Sequence, residues 1–198
     1  AVPFANDESR GNVLAAILTS AVRPVLPTAP GFLINAPAYG TGKTLLARAL
    51  GALSGSTPTL TGWPKTNEEQ EKLLSSILRE GAESLILDNL DGNLTGASLS
   101  GIMSSPTWSA RILGKSEKME VSTNTLLFAT GNNVYAIEDT ARRFCVVRID
   151  AVSEHPEWRE FDFNPLSLVQ SNQAQFRADA LTVLRGYVSA GCPKVEGS

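Results

Sequence analysis

The feature that most constrains this chain is an apolar run that breaks into a glycine-rich turn and then, at once, into a helix. Gly31-Phe32-Leu33-Ile34-Asn35-Ala36 reads as a short buried strand. Gly40-Thr41-Gly42-Lys43-Thr44 follows, and Thr44-Leu45-Leu46-Ala47-Arg48-Ala49-Leu50 reads as a helix with Gly51 near its end. Such a junction leaves backbone N–H groups pointing out of the helix start, where they and the helix dipole favour an anion.

The same alternation continues. Asp7 or Ser9 is placed to cap a first helix that runs to about Val22, and Pro24, Pro27 and Pro30 then force an extended connection. A second strand is expected within 57–63. Asn67 is placed to cap a helix whose Leu73, Leu74, Ile77 and Leu78 share one face, ended by Gly81. Ser84-Leu85-Ile86-Leu87-Asp88 is a continuous apolar strand. A helix over 98–103 leads to a hairpin with arms at 108–113 and 119–121 and a tip at Gly114-Lys115-Ser116-Glu117-Lys118. Strands follow at 125–130 and 144–149, with Gly131-Asn132-Asn133 as a turn between them, and an amphipathic helix over 172–188 closes the chain. Alternating strands and helices predict a three-layer α/β/α fold with a mostly parallel sheet, whose strand C-termini share one edge. The division expected is an N-terminal helix with its proline-rich connection (1–30), an α/β core that carries the glycine-rich turn (31–151), and a linker with a helical lid segment (152–198).

Composition removes several alternatives. Seventeen basic against twenty acidic side chains give a net charge of −3, so no broadly basic surface is expected. Cys145 and Cys192 fit neither a disulfide framework nor a metal spacing, and His155 is the single histidine, which nearly excludes a zinc site or a histidine-based triad. No stretch reads as a membrane span or a signal peptide, and a reducing cytoplasm is the expected location. Ala1 at the start and Val-Glu-Gly-Ser at the end suggest a piece of a longer polypeptide.

Gly-x-Gly-Lys-Thr between a strand and a helix is the specific part of a Walker A loop. Ala38, Tyr39, Gly40, Thr41, Gly42, Lys43, Thr44 and Leu45 are the expected nucleotide-binding residues. Lys43 is the cation for the β- and γ-phosphates, and the Thr44 hydroxyl is a ligand for Mg²⁺. The position usually held by a first glycine is Pro37, which removes one backbone donor. Asp88, at the end of an apolar strand, is the candidate second ligand for Mg²⁺. Asn89 follows, where many ATPases place a glutamate. An amide can orient a water but cannot take its proton, so either the base lies elsewhere, with Asp91 nearest, or the water is only positioned. Asn132 is a candidate for contact with the γ-phosphate or the attacking water. Arg142 and Arg143, in Asp139-Thr140-Ala141-Arg142-Arg143-Phe144, are candidates for stabilising transition-state charge from a neighbouring subunit.

Together, the strand–GTGKT–helix, the Leu-Ile-Leu-Asp-Asn strand, the Ala-Thr-Gly-Asn-Asn segment and the Asp-Thr-Ala-Arg-Arg segment resemble an AAA+ P-loop ATPase core. The likeness is strongest to the superfamily 3-type helicase domains of phage and mobile-element primase-helicases, and it extends over roughly 8–190. The resemblance implies a five-stranded sheet, a sensor role for Asn132, and an arginine finger at Arg142 or Arg143. It also implies a homo-oligomeric ring, usually a hexamer, with ATP at each subunit boundary and single-stranded DNA in the channel. Lys115 and Lys118, on the hairpin tip, would then meet nucleic acid, while Arg111, lower on that hairpin, could reach a neighbour's nucleotide. Two other readings remain open: an ATP-binding switch such as a helicase loader, which Asn89 favours, and a monomeric P-loop kinase for a small molecule.

Overall fold

The computed structural model describes residues 2–111, 118–150 and 163–194. Helix α1 (Asp7–Val22) packs beside the sheet, and a single 3-10 turn (Arg23–Val25) follows it. Its cap is Asn6, one residue ahead of Asp7 and three ahead of Ser9, the two expected positions. Asn6 is extended, and its side-chain oxygen accepts from the Ser9 backbone N–H at 2.9 Å, which leaves Asp7 and Glu8 in the first turn against the positive end of the dipole. Pro24 enters the 3-10 turn rather than breaking it, because an N–H is not needed in a first turn. The same one-residue displacement recurs at α3 (Asn67–Arg79), which is capped by Thr66. Thr66 exchanges bonds with the backbone and carboxylate of Glu69.

Five strands form one sheet: β1 (Gly31–Ala36), β2 (Thr59–Thr61), β3 (Ser84–Leu94), β6 (Leu126–Ala136) and β7 (Phe144–Arg148). Their order is β2-β3-β6-β1-β7, and every pairing is parallel. The two hairpin arms, β4 (Thr107–Arg111) and β5 (Lys118–Ser122), make a separate antiparallel pair. Leu-rich runs with little alternation form these strands because both sheet faces are covered. Phe32, Ile34, Ile86, Leu126, Phe128 and Val147 face one cluster, with Leu46, Ala47 and Leu50 of α2 (Lys43–Ala52). Leu33, Leu85, Leu87, Leu127 and Ala129 face the other, with Leu74 and Ile77 of α3 and Leu99 of α4 (Ala97–Ser104). The result is a three-layer α/β/α fold of the P-loop type.

The closing helix α6 (Pro165–Ser189) begins earlier than the expected start at Asn172. Asn164 caps it, Pro165 occupies its first turn, and Asn172 is a kink. There the Asn172 side chain donates to the Leu168 carbonyl at 2.9 Å, so its backbone leaves the helical region. The α6 residues Val169 and Phe176 pack into the same cluster as α2. Arg23 is buried and donates to three carbonyls, those of Leu26, Thr123 and Thr125, which ties the end of α1 to the start of β6. Burial pushes its pKa down.

The largest departure from expectation is the length of β3 and β6. Gly131-Asn132-Asn133 is not a turn, since β6 runs through it to Ala136 while β3 continues beside it to Leu94. Asn and Gly mark bulges as readily as turns, and this ladder slips twice, between Leu87 and Leu90 and between Asp91 and Asn93. Asn89 (φ 54°) and Asn133 (φ 51°) take left-handed backbone at these slips. Between them Gly131 lets the strands close up: a Cβ there would lie 2.2 Å from Val134 Cγ2 and 2.6 Å from the Leu90 carbonyl oxygen.

Gly131→Ala is therefore expected to cost about 3 kcal/mol in urea unfolding, because a backbone carbonyl cannot yield as a side chain can. Gly186→Ala, in open space on α6, should instead raise stability by roughly 0.5–1 kcal/mol.

Candidate phosphate site at the carboxyl edge of the sheet

The loop after β1 turns through Gly40 (φ 71°) and Gly42 (φ 87°), and Gly42 is the cap residue of α2. Gly42 is required by its backbone angle and not by crowding, since nothing lies within 4 Å of a Cβ built there. Lys43 is the first helical residue and only 8% exposed. Its three ammonium protons meet three acceptors: the Ala38 carbonyl (2.8 Å), the Thr41 hydroxyl (3.0 Å) and Asn132 Oδ1 (2.7 Å). Burial pushes the Lys43 pKa down, and the charge of Asp88 works against that shift.

Strand order explains the Lys43–Asn132 contact. β6 lies between β1 and β3, and Asn132 pairs in register with Ala36, the last residue before the loop. Asp88 leaves β3 on the same edge. Its Oδ1 accepts from the Thr44 hydroxyl at 2.8 Å and from the Thr130 hydroxyl at 2.5 Å. The Thr130 oxygen in turn accepts from the Asn89 N–H at 3.2 Å. Lys43, Thr44, Asp88 and Asn132, chosen from separate segments of sequence, thus meet in one place. Asn89 stands next to them with an exposed side chain.

Two residues of this edge escaped the sequence reading. Thr130 was only the end of an apolar strand, and its role needs the β3–β6 register to be known. Asn35 was the one amide in β1. Its side chain pairs with Val134 as a strand would, donating to the Val134 carbonyl (2.9 Å) and accepting from the Val134 N–H (3.2 Å). An amide just ahead of the loop in an otherwise apolar strand was the available signal.

The oxygen donors present suit a hard cation that arrives with phosphate. The Thr44 hydroxyl and the Asp88 carboxylate are the kind of small, all-oxygen set that Mg²⁺ uses when phosphates and water complete its shell. Among the described residues no group of three His, Cys, Asp or Glu side chains is placed to hold a metal unaided.

Arg142 and Arg143 are not part of this cluster. They sit between the short helix α5 (Glu138–Ala141) and β7, and β7 begins opposite Gly31, at the other end of β1 from the loop. A six-residue strand separates the two edges by roughly 20 Å. Both arginines hold Asp139 at 2.8 Å. Those bonds push the Asp139 pKa down, Arg143 contributing most. On the hairpin, Arg111 and Lys118 are opposed in register, and their side chains, like all of Lys115, lie outside the described residues. Trp63 and Trp108 are packed, with their ring N–H groups bonded to the Thr95 carbonyl (3.1 Å) and the Ser75 hydroxyl (3.2 Å); Trp158 lies outside the described residues. No described helix is long and apolar enough to cross a membrane.

No protein-family model and no curated protein sequence matches the chain. Solved structures do. The A form of the apo C-terminal region of NrS-1 matches 89% of the chain with a TM-score of 0.54 and 15% identity. A second apo structure of that region gives a TM-score of 0.53 and 16% identity over the same 89%. The chain spans 45% of the length of each. A JCV helicase is a looser likeness, with a TM-score of 0.43 and 16% identity over 74% of this chain and 46% of that one. At these identities what is shared with the NrS-1 region is the fold.

Replacing Asn35 with Leu should cost about 1–3 kcal/mol in chemical denaturation, because the Val134 N–H and carbonyl lose their partner beside the buried Val134 side chain. A cost below about 0.5 kcal/mol, the scatter of surface substitutions, would show that water replaces the amide freely.

Proposed function

We propose that the chain is the ATP-hydrolysing motor domain of a replication helicase of the phage or mobile-element primase-helicase type. In this reading it works as a ring, of hexamer type, that couples ATP turnover at subunit interfaces to movement on single-stranded DNA. The observation that carries the reading is the meeting of Lys43 with Asn132 and of Thr44 with Asp88 at the carboxyl edge of a parallel sheet. A buried lysine whose acceptors are a carbonyl, a hydroxyl and an amide holds an anion site in readiness, because phosphate oxygens can take the place of those neutral partners. Thr44 and Asp88 hold Mg²⁺ when it is bound, and that ion supplies charge neutralisation along the β- and γ-phosphates. Asn132 bonds Lys43 through its oxygen, which leaves its amide protons for the γ-phosphate or a water.

Phosphoryl transfer through a loose transition state depends on positioning and charge rather than on covalent chemistry by the protein. Lys43 and Asn132 orient the terminal phosphate from within the subunit. The remaining charge needs a donor, and Arg142 or Arg143 is too distant from the chain's own loop to be that donor. A neighbour's arginine is the reading that uses them, and it makes hydrolysis a property of the assembled ring. Lys115 and Lys118 on the hairpin then face single-stranded DNA in the channel, with Arg111 available to the neighbouring nucleotide. Six copies multiply a small local charge, so an acidic chain can still follow a phosphate backbone. Segments 1–30, 31–151 and 152–198 serve as N-terminal support, ATPase core and lid, within a longer cytoplasmic polypeptide that carries further domains.

ATP turnover in the presence of Mg²⁺ and single-stranded DNA should rise with protein concentration, and Lys43→Ala should abolish nucleotide binding and turnover together. Thr130→Val should weaken apparent Mg²⁺ affinity about tenfold by removing the hydrogen bond that orients the Asp88 carboxylate, and Thr130→Ser should restore it. Turnover that survives Lys43→Ala would sink the site assignment. Tight binding with negligible turnover even on DNA would instead select an ATP-binding switch of the loader type, the reading that the Asn89 amide favours. For the arginines, the Arg142→Ala/Arg143→Ala double variant should lose roughly 10³-fold in kcat. Mixing it with Lys43→Ala protein should recover part of that loss, and co-assembly without recovery at any ratio would exclude an arginine acting between subunits.

A further inference from the structure

The side of the sheet from which each β3 residue emerges is fixed by what it packs against. Ile86 lies in the cluster beneath α2, while Leu85 and Leu87 lie in the cluster on the other face. Alternation then sends Asp88 toward α2, as its bond to Thr44 requires. Strict alternation would next put Leu90 on the α2 side and Asp91 away from it. Leu90 instead packs with the opposite cluster. The reason is the first slip in the ladder: from Leu87 to Leu90 β3 takes three steps while β6 takes two, from Ala129 to Gly131. The added residue is Asn89, in left-handed backbone.

That bulge returns Asp91 to the α2 face. Its register partner is Asn132, the residue that holds Lys43. Neighbouring strands pleat in phase, so register partners emerge from the same face, and Asp91 stands beside Asn132 on the phosphate side. β6 makes its compensating insertion only afterwards, between Asn132 and Tyr135, with Asn133 in left-handed backbone. Val134 and Ala136 are thereby kept with the opposite cluster. The two bulges bracket the Asp91–Asn132 pair and leave both residues on the α2 face.

We infer that Asp91 is the carboxylate that takes the proton of the attacking water, an assignment that rests on the ATP hydrolysis proposed above. Asn89 has no basic atom to accept a proton. Asp88 is committed through one oxygen to two hydroxyls and, with Thr44, to the metal. Asp91 is exposed, and among the described residues its carboxylate accepts no side-chain hydrogen bond, so it is free to meet water. In the step itself the water oxygen bonds to the γ-phosphorus as the bond from that phosphorus to the β–γ bridging oxygen breaks. The electron pair of that bond leaves with ADP. The water proton passes to Asp91 and from there to solvent, and nothing is oxidised or reduced.

The test is turnover and nucleotide affinity measured side by side on the full chain with Mg²⁺-ATP and single-stranded DNA, using a fluorescent ATP analogue for binding. Asp91→Asn should lower kcat by roughly 10²–10⁴-fold. Its nucleotide Kd should stay within about threefold, the split expected of a group that acts only in the transition state. Asn93→Ala, on the same face two residues on, should keep both values. An Asp91→Asn protein that turns over within about threefold of the unaltered chain overturns the inference alone, as does an equal loss in Asn93→Ala. Absence of any Lys43-dependent hydrolysis by the unaltered chain overturns the hydrolysis reading and this assignment together.

Discussion

One carboxylate oxygen, Oδ1 of Asp88, accepts from Thr44 at the start of α2 and from Thr130 on β6. Three elements that are far apart in sequence meet at that atom, and the rest of the carboxyl edge is built around it. The Thr130 oxygen that donates to Asp88 also accepts the Asn89 N–H, so the backbone of the bulge is held by the same short chain of bonds. Polar chains of this kind strengthen when each member is satisfied and cost heavily when one is not. This is why the bulge and the carboxylate form one unit and not two neighbouring features.

β6 gives that unit its reach. Because it runs between β1 and β3, it places Thr130 against Asp88 and Asn132 against Lys43 within a single turn of the strand pleat. Any order that put β3 directly beside β1 would separate the lysine from its amide. The close approach at Gly131 and the amide of Asn35 hold β6 in line beyond the body of the sheet, where fewer neighbours support it.

Much of this was legible in the sequence for a physical reason. Lys43, Thr44, Asp88 and Asn132 each follow an apolar run, and a parallel sheet brings the C-terminal ends of such runs to one edge. What escaped were relations between strands. Thr130 and Asn35 matter through register, which no single segment encodes. Asn89 and Asn133 carry the residue type of a turn, and only the packing of Leu90 and Val134 shows that the chain bulges and continues. The caps lie one residue ahead of Asp7 at α1 and of Asn67 at α3, because an N-cap lies outside the helix it starts.

The two edges of the sheet carry opposite chemistry, and the strand length keeps them apart. At the carboxyl edge a buried ammonium and a carboxylate share a small volume with amides and hydroxyls. At the amino edge Arg142 and Arg143 are gathered on Asp139, with Arg142 82% exposed in its side chain. An ion pair at such exposure is screened, so Asp139 holds Arg142 loosely, whereas the less exposed Arg143 donates two bonds to a single oxygen of that carboxylate. The fold thus carries the Lys43–Asn132 and Thr44–Asp88 contacts at one edge of the sheet and two arginines paired to Asp139 at the other.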